Sequence, residues 1–225
     1  MKKLILIFII TVVFTSCKKS DDSNADQNSS ETTKVATVTS KTGRIWMDRN
    51  LGAAQVAKST TDAASFGDYY QWGRGSDGHQ LQNSKVVDSS SPIDKPTNNY
   101  FFSGNIKTPF DWRQPQNIDL WQGVNGINNP CPAGFRIPNI VEWDEEVKSW
   151  SSYSAEGAFN SPLKLPTTGS RSYINGLMLD YGTGTYWSSS TSGVESYVIK
   201  FRQTPSSQMY SSKRGNGICI RCIKN

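Results

Sequence analysis

One histidine, His79, stands among 225 residues. It lies in the glycine-rich turn GRGSDGHQ. A Ser-His-Asp or Cys-His device needs a base held rigidly by its neighbours, and this stretch supplies none. Long apolar runs are missing too. The longest, Leu4 to Phe14 behind Lys2 and Lys3, has 11 residues, against about 20 for a bilayer-spanning helix. Long amphipathic helices are scarce, which excludes a helical bundle. No basic run interleaves with aromatics, and the net charge of +5 is mild and scattered. A nucleic-acid groove is thereby excluded.

The short apolar run is a secretory signal. It ends at Thr15, Ser16 and Cys17, and small residues before a cysteine suggest a bacterial lipobox. Residues 1–16 then form a lipoprotein signal peptide, and Cys17 is the lipid-bearing first mature residue. Several acyl chains together anchor a protein firmly. Residues 17–34 begin CKKSDD and continue in Ser, Asn, Asp and Gln. They are too polar to fold alone and read as a flexible tether. What remains, residues 35–225, is one domain of roughly 185 residues, large enough to bury a core. Its Gly, Ser, Asn and Thr content and its 7 Trp, 9 Tyr and 9 Phe suit a loop-rich extracytoplasmic domain.

The densest stretch is CPAGFRIPNIVEWDEEVKSW, from Cys131 to Trp150. Asn139 and Glu142 make a capping-box pair, so a helix is predicted directly after Pro138. Ile140, Trp143, Val147 and Trp150 fall on one stripe. Glu142, Asp144, Glu145 and Glu146 take the outward face, where they read as solvated charge rather than the paired carboxylates of a sugar hydrolase. Two tryptophans on one stripe need a large partner surface. The strand-rich C-terminal third is the partner on offer.

Elsewhere the punctuation is that of short strands. VATVTS, KTG and RIWMD predict an entrance hairpin over Val35 to Asp48 with Trp46 inward. Asp62 is a cap for a short helix through Phe66, and Tyr69, Tyr70 and Trp72 are core candidates. Residues 75–130 show no period but carry Tyr100, Phe101, Phe102, Phe110, Trp112 and Trp121. They read as an insertion pinned by these rings. Strands are predicted at Leu163 to Leu165, Thr185 to Ser190, Tyr197 to Arg202 and Gly217 to Ile223, with a further one around Gln208 to Ser212. In the middle one Tyr197, Ile199 and Phe201 alternate against Val198, Lys200 and Arg202, as in a half-buried antiparallel strand. The fold class is α+β, with a small twisted antiparallel sheet, one or two helices and long loops.

With Cys17 lipidated, three cysteines are left, an odd number in an oxidising compartment. Cys131 can bridge only one of Cys219 and Cys222. In GICIRCI, Ile218, Ile220 and Cys222 share one face and Cys219 and Arg221 the other. If the isoleucines face the core, Cys222 is the partner and Cys219 is left over.

The order of Cys131, a Pro-Gly turn, an Arg-x-Pro step and a helix opening on Glu142-Trp143 resembles the Fibrobacter succinogenes major paralogous domain of surface lipoproteins. It resembles the formylglycine-generating, sulfatase-modifying domains more distantly. The likeness continues through IWMDRNLG from Ile45, FGDYYQWGR from Phe66, LPTTGSR from Leu165, YWSSS from Tyr186 and IRCIKN from Ile220, over roughly residues 43–225. Both families are related to the C-type lectin-like fold, so the resemblance implies that fold and a disulfide between the first helical region and the last strand, matching Cys131 with Cys222. The acidic-serine run behind Cys17 resembles an export signal for the outer face of the outer membrane. Calcium-binding lectins of this kind carry Glu-Pro-Asn or Gln-Pro-Asp steps in the long loop. The loop here, PTTGSRSYINGLMLDYGTG, has neither, and no metal or other cofactor is expected.

The long loop and the following strand form the ligand surface in such folds, which makes Arg171, Tyr173, Asp180, Tyr181 and Trp187 the ligand-binding candidates. The expected role is a non-catalytic, lipid-anchored outer-membrane protein, exposed at the cell surface and binding an extracellular glycan or a partner protein there. Two alternatives stand beside it: a structural subunit of a surface or fimbrial assembly, and a sulfatase-modifying-type enzyme with Cys219 and Cys222 as a copper-binding thiol pair.

Overall fold

The entrance hairpin forms as the turn chemistry predicts. β1 (Thr37–Thr39) pairs antiparallel with β2 (Ile45–Met47), Val38 opposite Trp46, and the turn between them places Gly43 at φ 82°, a conformation glycine adopts without strain. The coordinates are a computed structural model describing residues 35–103, 108–206 and 208–225. The signal peptide, Cys17 and the tether assigned to residues 1–34 lie outside the described residues.

β2 goes on to pair with the last strand, β13 (Ile223–Lys224), which pairs in turn with β6 (Phe135–Arg136). Both ends of the domain therefore meet in one four-stranded sheet. A second four-stranded sheet has the order β3 (Tyr70–Gln71), β12 (Gly217–Ile218), β7 (Ser170–Arg171) and β8 (Met178–Leu179). The longest strands make a three-stranded antiparallel sheet: β9 (Gly184–Ser192) and β11 (Gln208–Ser212) flank β10 (Glu195–Phe201). A short parallel pair, β4 (Val86–Asp88) and β5 (Phe101–Ser103), lies within residues 75–130. With two helices, α1 (Ile140–Lys148) and α2 (Ala155–Asn160), and several small, mostly antiparallel sheets, the domain is an α+β fold.

α1 begins where its cap dictates. The Asn139 side chain accepts from Glu142 N and the Glu142 carboxylate accepts from Asn139 N, both at 2.9 Å. Trp143 and Val147 are buried along its stripe, with Trp150 just beyond its end and Ile140 half-buried. Two carboxylates assigned to solvent are instead inside. Glu142 and Glu146 are 4% and 0% exposed. Glu142 is drawn in by a bidentate pair with Arg136 (2.7 and 2.6 Å) besides its capping role, and Glu146 accepts from Trp150 Nε1 at 3.2 Å. Val141, an apolar residue, takes solvent in their place.

The strand predicted at Leu163 to Leu165 is absent. Lys164 N and Leu165 N donate to the carbonyls of Ser161 and Ala158, so the segment finishes the turn that leaves α2, and both leucines are buried without a ladder. α2 itself was not anticipated. Ser154 caps it, and Gly157 is required because a Cβ there would lie 2.0 Å from the Ser152 carbonyl oxygen. The strand predicted over Gly217 to Ile223 is split into β12 and β13. Its two ends serve different sheets, and Cys219 O between them accepts from Trp187 N.

Two apolar clusters form the main core. Trp46, Trp143, Tyr186, Ile199 and Phe201 belong to the one beneath α1, where the indoles of Trp46 and Trp143 lie 4.9 Å apart. Trp72, Trp121, Trp187, Val198, Ile218 and Ile220 belong to the other. Fully burying one such large side chain contributes about 1.5–3 kcal/mol. β9 and β10 separate the two clusters, so Val198 is buried as deeply as Ile199. The half-buried alternation predicted for β10 is corrected accordingly: both faces are covered at its centre, and a register shift lies between Ser196 and Val198. Within residues 75–130, Phe102, Trp112 and Leu120 make a third, smaller cluster.

The bridge joins Cys131 to Cys222, with Cα atoms 6.0 Å apart, and Cys219 is free and buried. The alternation in GICIRCI holds: Ile218, Ile220 and Cys222 enter one cluster and Cys219 the other. Among the described residues no helix is long and apolar enough to cross a membrane.

Candidate functional site

Strand alternation builds one face of a cleft. Tyr186, Ile199 and Phe201 point one way into the core. Thr185, Val198 and Lys200 point the other way, Thr185 facing Lys200 and Val198 facing Tyr210 across the ladders. This second face is the wall of a cleft of about 350 Å³. Ser170 on β7, Asp180 after β8, and Asn216 and Ile218 at β12 complete its lining. Ligand sites of about 300–1,000 Å³ hold small molecules, so the cleft suits a compact polar ligand.

Val198 and Ile218 are its apolar lining, and the rest is mostly hydroxyl, amide and charge. The Thr185 hydroxyl is buried and has no hydrogen-bond partner among the described residues, at a cost to the fold of about 1–3 kcal/mol. Asn216 is fixed, its Oδ1 accepting from Tyr173 N at 2.9 Å and its Nδ2 donating to Ser212 Oγ at 3.0 Å. Lys200 Nζ donates to Asp180 Oδ2 at 2.8 Å. Tyr210 at the rim is 42% exposed.

Of the five residues expected to bind ligand, only Asp180 lines this cleft. Trp187 is wholly buried, and its indole donates to Tyr70 O at 2.7 Å. Arg171 is buried as well. Its guanidinium donates to the carbonyls of Gly176, Leu81 and Ser84 and to the Ser84 hydroxyl, lying 4.1 Å over the Phe101 ring. Burial pushes it down to about 10. It therefore ties the β7–β8 hairpin to residues 81–84 and presents nothing to solvent. Tyr173 packs 5.3 Å from Phe110, and Tyr181 is 79% exposed outside the cleft. The residues that sequence reasoning missed are Thr185, Lys200, Arg202 and Tyr210. The signal was present in the Val198, Lys200, Arg202 alternation, which reads as ordinary solvent face until the rest of the cleft lining is placed.

His79 does have the rigid neighbours that its local sequence does not reveal. Its Nδ1 is 2.6 Å from Asp77 Oδ1, and its Nε2 accepts from Gln71 N at 3.1 Å. Complete burial, assisted by Arg74, holds it neutral by lowering it to about 4. With both ring nitrogens occupied by structure, it is not free to move a proton for a substrate. Cys219 is equally inert. Its thiol donates to Phe66 O at 3.2 Å, and burial pushes its pKa up, whereas a reactive thiol needs it lowered.

A second cleft, of about 270 Å³, lies between Gly75, Asp77, Asp94 and Asn128. Both of its carboxylates are engaged, Asp77 by Arg74 and Asp94 by Arg113, each at 2.8 Å. Among the described residues no three His, Cys, Asp or Glu side chains converge as a metal site would require. No family model, curated protein or solved structure matches the chain.

Proposed function

We propose that the chain is a lipid-anchored surface protein of C-type lectin-like architecture, akin to the Fibrobacter succinogenes major paralogous domains, that binds a glycan without chemically changing it. The observation that carries this reading is a cleft lined mostly by hydroxyl, amide and charged side chains, with the exposed ring of Tyr210 among them. Sugars are recognised by that combination: hydroxyls and amides fix the ring's oxygens while an aromatic face covers its C–H side. The bridging of Cys222 by Cys131 removes the thiol pair on which a sulfatase-modifying reaction would depend, which favours binding over that chemistry.

The test is a glycan array probed with the full-length protein, followed by titration of the best ligand. Tyr210→Ala, which removes the exposed ring from the cleft, should weaken binding at least tenfold while changing stability by no more than about 0.5 kcal/mol. An array without signal, or a variant that binds normally, would overturn the glycan reading. A protein-partner reading is favoured by one other feature: Ile174, Leu177, Leu179 and Tyr181, on and just after the β7–β8 hairpin, are 46–79% exposed. Retention of a partner by the native protein and its loss on Tyr181→Ser would support that reading.

A further inference from the structure

The charges around the cleft do not balance. Lys200 is committed to Asp180 at 2.8 Å. Glu195, near the rim, is held by the Ser211 hydroxyl and by Lys213. Arg202 lines the same cleft, follows Lys200 on the same face of the chain, and is exposed. Among the described residues its guanidinium has no carboxylate partner. The cleft thus holds one compensated ion pair and one uncompensated cation, beside the half-exposed ring of Tyr210.

We infer that the ligand is a carboxylated saccharide, a uronic or sialic acid unit whose carboxylate is taken by Arg202 while its ring lies between Tyr210 and the Thr185 wall. Guanidinium and carboxylate match as a planar, two-pronged pair, a geometry lysine cannot reproduce. A neutral sugar would leave Arg202 as it stands in the free protein. A carboxylated one gains a charge-assisted contact at the mouth of a partly enclosed site, where water screens it less than on an open surface. The inference rests on the glycan reading above and adds the charge of the ligand.

The experiment uses the full-length protein on an array holding neutral, uronate-bearing and sialylated glycans. The strongest carboxylated ligand and its methyl ester are then titrated by calorimetry. The acid should bind at least tenfold more tightly than its ester. Arg202→Gln should abolish that difference while leaving the ester's affinity alone, and Arg202→Lys should restore only part of it. Acid and ester binding alike, or signals confined to neutral glycans, would overturn the carboxylate inference and leave glycan binding intact. Silence across the array would remove both.

Discussion

Asp111 and Arg214 face each other at 3.7 Å, 2% and 0% exposed. The separation allows Coulomb attraction but not a hydrogen bond, and among the described residues Arg214 Nη1 has no hydrogen-bond partner while the guanidinium stacks 4.6 Å over Trp72. Burial pushes Asp111 up to about 6, outweighing the Arg113 amide, Gln116 and Arg214, which pull it down. Unfolded, the same carboxyl titrates near 4. Between those values the folded chain holds the extra proton, so this residue makes the fold less stable as pH rises from about 4 to about 6. His79 acts oppositely. Its folded value of about 4 lies below the unfolded value near 6.5, so stability rises with pH across the same window. Asp111→Asn removes the first effect alone. Its stability, measured by urea unfolding at pH 4, 5 and 6, should rise more over this window than that of the parent, by about 2 kcal/mol. Parallel curves would show that Asp111 stays charged in the fold. None of this is visible in the sequence. Arg74, Arg171, Arg214 and Arg221 are among the largest fully buried side chains, although arginine is ordinarily a surface residue. Only the distant carbonyls and rings that receive them make burial tolerable: Arg221, for example, is held by Asn50 and by the Leu163 carbonyl.

At the scale of elements, α1 was legible because its signals are local. Asn139, Glu142 and the tryptophan spacing all lie within 12 residues. Residues acting through distant partners were not, and Glu142 does both. It closes the cap, and it also ties the helix start to β6 through Arg136 and to the β1–β2 turn through Arg44, the last at 3.4 Å. Asn139→Ala, which removes one capping acceptor, should lower stability by about 1 kcal/mol. Glu142→Ala removes the reciprocal bond and strands Arg136 as well, and should lower it by about 3 kcal/mol. Shifts in the urea midpoint at constant slope would measure both. Equal effects would mean that the Arg136 pair contributes nothing beyond the cap. The two-residue strands β3, β7 and β8 were not predicted, because period-2 alternation needs at least four residues to register. The long loop predicted from Pro166 to Gly184 consequently contains β7 and β8.

Over the whole molecule the α+β class was readable from composition and spacing, whereas the division of the core into clusters on either side of β9 and β10 was not, since it depends on which elements cover each face. The Cys131–Cys222 bridge matters at this scale because it links residues 91 apart. It lies in the cluster with Trp72, Trp121 and Trp187, next to the sheet that joins the domain's first and last strands. Closing a loop of that size restricts the unfolded chain by about 4 kcal/mol in the chain-entropy model. The double substitution Cys131→Ala, Cys222→Ala should therefore lower stability by about that much, and at 2–4 °C per kcal/mol reduce Tm by roughly 10 °C. The same bridge fixes a thiol count for residues 35–225. The native protein should expose no reactive thiol there, because Cys219 is buried, and the denatured, unreduced protein should expose one. Three thiols on denaturation, or a double variant as stable as its parent, would mean that the ends of the domain are held by the β2–β13–β6 ladder and its packing alone.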